Sequence, residues 1–306
     1  SGLGVISLLQ VDNYRMAVNG STLVAPGRLA MRGGSYHGQR THLTRIPAGL
    51  LKVGTNELTY VTVRNGFPYT DLYPPLIGEY NAMQAFSGAR LWLVYDYHIV
   101  IGVLLALLGL IAAIMVVRSD DWRFAMWLSL LCAACVGHAV YTLWLDIPVD
   151  GFGRMALFFA VNMAIPTALL CFVDSWTGRP MRWLQPAAMA GYAAAMAVIL
   201  YYLYKVAMPD GYDTPTVLWV WFLCAYAVAV VARLLWHFAA QRETRIIESA
   251  LLTVLAATIA KDAIAAQWPE WMLGEGNLLA ASPFLLVAMM LAFVARNFRL
   301  FQSQNA

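Results

Sequence analysis

The chain has 306 residues, of which 61% are hydrophobic and only 12% charged, with a net charge of +3. A soluble domain of this size cannot hide so much apolar surface, so the composition excludes an ordinary globular protein and points to an integral membrane protein. The four cysteines (Cys132, Cys135, Cys171, Cys224) all fall in apolar stretches, which excludes a disulfide framework for the more polar N-terminal part.

Residues 1–92 have the periodicity of strands. Val5–Leu9 and Tyr14–Val18 are short apolar runs, and the second ends in Asn19-Gly20, a pair that supplies the positive φ angles of a tight hairpin. Pro26-Gly27 and Arg32-Gly33-Gly34-Ser35 read as turns or loops. From Ile46 to Val63 the chain reads I-P-x-x-L-L-x-x-G-x-N-x-L-x-x-V-x-V. Gly54 and Asn56 suit a turn there, and Thr59–Arg64 suits a strand with Val61 and Val63 on one face, Tyr60 and Thr62 on the other. An aromatic, proline-rich passage follows: Phe67-Pro68-Tyr69, Tyr73-Pro74-Pro75 and Ile77-Gly78-Glu79.

Tyr36, His37, Arg40, Tyr69 and Tyr73 are residue types that stack on and hydrogen-bond a sugar-like ligand. The competing reading has them fill loops and the sheet edge, or touch the membrane surface, where tyrosine is favoured. Gln84–Tyr97 reads as a link to the apolar part, with Arg90, Trp92, Tyr95 and Tyr97 as interfacial anchors. The chain opens at Ser1-Gly2 and enters strand-like sequence at once. That reads as a fragment lacking an export signal and some leading strands.

Seven apolar blocks follow: His98–Val117, Phe124–Leu145, Phe152–Val173, Trp183–Lys205, Val217–Phe238, Ile246–Gln267 and Leu278–Ala295. The first has no Lys, Arg, Asp or Glu, and at ~1.5 Å rise per residue it spans a hydrocarbon core of about 30 Å. One set of connections holds Arg118, Arg123, Arg179, Arg182, Arg233, Arg242, Arg245, Arg296 and Arg299. The other holds Asp146, Asp150, Asp210, Asp213, Glu270 and Glu275, with Arg154 and Lys205 as its only basic residues. The positive-inside rule places the first set in the cytoplasm, the N-terminus outside and the C-terminus inside, an arrangement that needs an odd number of spans.

Within the spans, His138, Asn162, Lys261 and Asp262 are the polar candidates. Lys261 and Asp262 are adjacent, so they do not face each other as an ion pair. Snorkelling and structural pairing compete with a ligand or proton role. His138 reads as a pH-sensitive group or as a hydrogen-bonded packing histidine. Asn162 with Pro166 marks a kink, and Gly102, Gly109, Gly137 and Gly191 read as helix-contact positions. Cys132-Ala-Ala-Cys135 has redox spacing, yet in an apolar helix it reads as small packing residues. No phosphate loop, zinc-binding HExxH or G-x-S-x-G elbow occurs, and the last span has no lysine to hold a retinal. No catalytic residue, metal or cofactor is expected, and no nucleic-acid partner.

The Pro/Leu-Leu/Gly-x-Asn pattern before the strand resembles that of jelly-roll domains of the galactose-binding type. Such a domain feeding into seven spans, with an exit through Arg296-Asn297-Phe298-Arg299-Leu300-Phe301, resembles the bacterial seven-transmembrane receptors with diverse intracellular signalling modules. The resemblance implies an extracytoplasmic β-sandwich over 1–92, truncated at its front, a seven-helix bundle over 93–299 and a cytoplasmic linker from 300–306. It also implies a sensor in the bacterial inner membrane, working as a homodimer. A small extracytoplasmic ligand, in that family a carbohydrate, would bind outside, and the signal would pass to an output module beyond Ala306. A two-component histidine kinase is the first expectation for that module and a diguanylate cyclase the second; as given, the chain is not an enzyme. A membrane transporter with an accessory β-domain is the competing class.

Overall fold

The computed structural model describes residues 2–30, 34–37, 43–64, 71–92, 96–118, 121–207 and 210–240, with 253, 256–257, 287 and 289–295. Arg40, Tyr69, Lys261 and Asp262 lie outside the described residues, as does nearly all of the sixth span and the first half of the seventh. The chain divides into two compact units, Ser1–His98 with Tyr141–Ala156, and Ile99–Val140 with Leu157–Ala306.

Among its described residues the first unit holds six strands: β1 (Leu3–Gln10), β2 (Asn13–Val18), β3 (Ser21–Val24), β4 (Leu43–Ile46), β5 (Leu58–Val63) and β6 (Asp71–Glu79). They form two three-stranded sheets, ordered β4-β1-β6 and β3-β2-β5, with every pairing antiparallel. Alternation decides which side chains meet between them. Val5 and Leu9 from one sheet and Tyr14, Met16 and Val18 from the other share one core with Ile46 and with Val11 of the bend between β1 and β2. Each such aliphatic side chain contributes about 1.5–3 kcal/mol on full burial. Ser7 is the polar member of that face, and its hydroxyl lies 2.9 Å from the Tyr60 hydroxyl across the sandwich.

Local chemistry sets the turns. Asn19 and Gly20 have φ of 51° and 85°, the double positive twist of a two-residue hairpin, and they join β2 to β3. Pro47 leads a single 3-10 turn, Ala48–Leu50, which delivers Leu50 and Leu51 to the core. Gly54 then takes φ of 95°. Asn56 closes the loop: its Oδ1 accepts from Lys52 N at 2.7 Å, and its Nδ2 donates to Lys52 O at 2.9 Å. Asn19 stitches hairpin to loop, donating to Leu50 O at 2.6 Å and accepting from Glu57 N at 3.0 Å. On β5 the alternation holds, and the tyrosine face is the inner one: Leu58 and Tyr60 pack on the core while Val61 is 40% exposed.

Among the described strands β6 pairs with β1 alone. Its Pro74-Pro75 falls where the register jumps from Leu8↔Tyr73 to Ile6↔Leu76. The irregularity lets β1 skip two residues that have no N–H, which a central strand does not tolerate. β6 runs directly into helix α1 (Tyr80–Leu91), with Tyr80 N donating to Gly2 O at 2.8 Å. The linker expected from Gln84 is thus largely helical. Its Ala, Met, Gln and Leu are good helix formers, but they lie scattered around the helix and leave no periodic stripe to read.

Among the described residues, five further helices have both ends described: α2 (Tyr97–Arg118), α3 (Trp122–Leu143), α4 (Gly151–Trp176), α5 (Leu184–Lys205) and α6 (Asp210–Ala240). These five are long and apolar enough to cross a membrane, so the chain is a multi-pass membrane protein. They correspond to the first five apolar blocks. α6 starts earlier than the sequence suggests, because Pro215 sits within its second turn and Asp210 and Asp213 suit its positive end. α4 is the most enclosed, with 67% of its apolar window buried against 22% for α5. Of the four glycines expected at helix contacts, Gly109 and Gly191 sit at close approaches, while Gly102 and Gly137 are in ordinary contact. A Cβ at Gly109 would lie 2.8 Å from Cys132 Cβ, and one at Gly191 would lie 2.7 Å from the Tyr226 hydroxyl. Cys132 and Cys135 are buried free thiols.

Candidate functional site

The first cluster is built on the short segment Gly34–His37. The 26–28 turn holds that segment: Arg28 N donates to Ser35 Oγ and Ser35 N to Arg28 O, each at 3.0 Å. Asn13 of β2 in turn donates to Pro26 O at 2.8 Å and to Arg28 O at 3.0 Å. The segment is therefore an arm fixed to the sandwich by hydrogen bonds. Tyr36 at its tip reaches the α3–α4 connection. Its N–H donates to Leu145 O at 2.8 Å and its hydroxyl to Val149 O at 3.1 Å. The Arg154 guanidinium lies 3.6 Å from the centre of the Tyr36 ring and 5.3 Å from that of Tyr141, and its Nε donates to the Tyr141 hydroxyl at 3.3 Å.

Arg154 is a cation in the first turn of α4, where the helix dipole opposes it. Two aromatic faces offset that penalty; a desolvated cation–π contact is worth about 2 kcal/mol. Asp150 adds negative charge at the same terminus and caps it, accepting from Gly153 N at 2.7 Å. Arg154 is only 6% exposed, and its Nη1 has no hydrogen-bond partner. Burial pushes the Tyr36 hydroxyl above its ordinary pKa. Arg154 pulls it back, and Asp12, Tyr141 and Asp150 push it further up, so it remains a donor to Val149. Beside it, His37 Nε2 stands 3.8 Å from Asp146 Oδ1, an ion pair when the imidazole is protonated.

The second cluster lies in the helical unit. Asp174, near the end of α4, is fully buried and accepts from Arg233 Nε of α6 at 2.8 Å. Arg233 Nη2 also donates to Thr177 Oγ1 at 2.6 Å and to Arg179 O at 2.7 Å. Met181 N donates to both Asp174 oxygens, at 3.1 and 3.2 Å. Gln185 of α5 donates to Asp174 Oδ2 at 3.1 Å and accepts from Trp127 Nε1 of α3 at 3.0 Å. One carboxylate thus joins α4, α5 and α6 to the loop between α4 and α5, and Gln185 extends the network to α3.

Of the five residues expected around a ligand, Tyr36 and His37 come together, both on the 145–154 segment. Tyr36 is 6% exposed and so offers no open face for stacking, whereas the His37 side chain is 21% exposed. Tyr73 pairs with Leu8 in β6, its side chain lying outside the described residues. In the spans, His138 is buried on α3, and Asn162 on α4 donates to Phe158 O one turn back at 2.8 Å. Thr167 likewise donates to Met163 O at 2.8 Å, beside the Pro166 that removes a helix N–H.

Sequence reasoning counted Arg154 and Arg233 only as topology charges and passed over Tyr141 and Asp174. A signal existed for the second cluster. Arg233 falls inside an apolar span and Asp174 directly after another, and charges at such depth need each other. Among the described residues, no group of His, Cys, Asp and Glu could hold a metal ion. No family model, curated protein or solved structure matches the chain.

Proposed function

We propose that the chain is the sensing and membrane-spanning part of a bacterial signalling receptor, with its β-unit outside the cell, a seven-helix membrane unit and its C-terminus in the cytoplasm. The observation that carries this reading is the Tyr36–Arg154–Tyr141 clamp. An arm held by the sandwich binds the connection between two spans and the first turn of α4. A ligand that displaces the 34–37 arm would therefore act directly on the start of a membrane helix. Coupling then needs only two packings with different ligand affinity.

Orientation follows from the arginine bias, and Arg154, one of the two basic residues on the outer side, already has a structural role. The Ile46–Val63 motif, with its proline-led turn, paired core leucines and Gly-x-Asn loop, supports a jelly-roll ancestry for the sandwich and a small ligand, carbohydrate first. The output would be a histidine kinase of a two-component system, with a diguanylate cyclase as the alternative, in a homodimer.

The test fuses the chain at Arg299 to a histidine kinase core in nanodiscs and measures autophosphorylation across a panel of sugars. A sugar that changes the rate in the native chain, and binds but leaves the rate unchanged in Arg154→Gln, is the expected result. Sugar-dependent solute flux in proteoliposomes with no change in phosphorylation would overturn the reading in favour of a transporter.

A further inference from the structure

Several elements of the helical unit converge at one end. The Trp127–Gln185 hydrogen bond ties the second turn of α3 to the first of α5, the Phe124 and Phe172 rings lie 5.5 Å apart across α3 and α4, and Arg233 brings in α6. Two kinds of side chain are exposed there. Arg123, Arg179 and Arg182 are one. Trp122, Trp183 and Trp236 are the other, at 45%, 65% and 65% exposure. Arg123 stacks over Trp122 at 5.5 Å. Of the two described acids at this end, Asp174 is neutralised by Arg233, and Asp121 stands at the start of α3.

The loop that carries Arg179 and Arg182 is held rigidly. Gly178 turns it at φ of 73°, Arg179 O is held by Arg233, and Met181 N by the Asp174 carboxylate. The buried ion pair thus fixes the backbone while both arginine side chains are exposed.

We propose that this end of the bundle docks the phosphates of anionic phospholipid headgroups, with Arg179 and Arg182 as the binding cations and Trp183 and Trp122 at headgroup depth. Exposed indole rings favour the bilayer interface, where the exposed arginines meet a high local density of phosphate. A loop already ordered loses little entropy on binding. The proposal rests on the membrane-spanning helices and not on the receptor reading. It holds for either leaflet.

The experiment is native mass spectrometry of the full chain, released from detergent with phosphatidylglycerol or phosphatidylcholine of the same acyl chains. The native chain retains phosphatidylglycerol preferentially. Arg179→Gln with Arg182→Gln weakens that retention about thirtyfold, or about fivefold for each arginine near a charged surface. Lys52→Gln in the sandwich leaves it unchanged. Both arginine side chains are exposed, so the double variant should keep the native melting temperature. Equal retention of the two lipids, undiminished phosphatidylglycerol in the double variant, or full displacement by inorganic phosphate would each overturn the proposal.

Discussion

A buried arginine meets each end of α4, Arg154 from α4 itself and Arg233 from α6, and the two are held by opposite chemistry. Arg233, 5% exposed, meets a carboxylate, a hydroxyl and a carbonyl at 2.6–2.8 Å. Arg154, 6% exposed, meets two tyrosine rings and one hydroxyl, and leaves Nη1 unpaired. A charge held by a charge is a lock, because removing one partner strands the other in a low-dielectric site. A charge held by aromatic faces is a latch, because the rings lose little when the cation leaves and an unpaired N–H favours any state that pairs it. The end of α4 tied to the sandwich is therefore the adjustable one, and the Asp174 end is the fixed one.

This contrast can be broken most forcefully at the lock. Asp174→Ala should destabilise the helical unit by about 3–5 kcal/mol, and pairing it with Arg233→Met should recover most of that loss. Thermal unfolding in nanodiscs measures both, and a double variant no better than the single would make the network additive rather than a locked pair. Next in size is Gly191→Ala, whose new methyl meets the Tyr226 hydroxyl. It should cost about 1–3 kcal/mol, and Tyr226→Phe should relieve the clash at the expense of the hydrogen bond to Ala188 O. At the latch the effect should be smaller. Arg154→Met should cost about 1–2 kcal/mol, since the lost cation–π contact is partly offset by removing an unpaired donor. A loss equal to that of Asp174→Ala would make the two ends alike.

The smallest expected effect is the pH dependence of the sandwich. Burial raises Tyr14, Tyr36 and Tyr60 above their ordinary 10.0. The folded state therefore holds these protons more tightly than the unfolded chain does. The stability they contribute is complete below pH 10 and declines as pH rises through the raised values. Urea titrations between neutral and strongly alkaline pH should show that loss, with a shallower decline in Tyr14→Phe.

What was legible in the sequence was local. Asn19-Gly20 announced its hairpin because only certain residues accept that twist, and the Ile46–Val63 motif announced its turn, its core leucines and its strand. The five described spans were legible because a bilayer requires length and apolarity and little else. The clamp was not legible. Tyr36 and Arg154 are far apart in sequence, and nothing in either neighbourhood says that one will cover the other. The inner face of β5 was ambiguous because Val61 and Tyr60 suit a core equally well, and packing against Tyr14 and Ser7 selects the tyrosine.

The pairing of β1 with β6 has a consequence for how the protein is made. β1 must wait for β6 before the two can pair, and β6 leads through α1 towards the first span. During synthesis that edge of β1 stays open until β6 has emerged, just ahead of α1 and α2. Pro74-Pro75 then removes a donor from the outer rim of β6. A neighbouring nascent chain finds no continuous ladder there on which to add a strand.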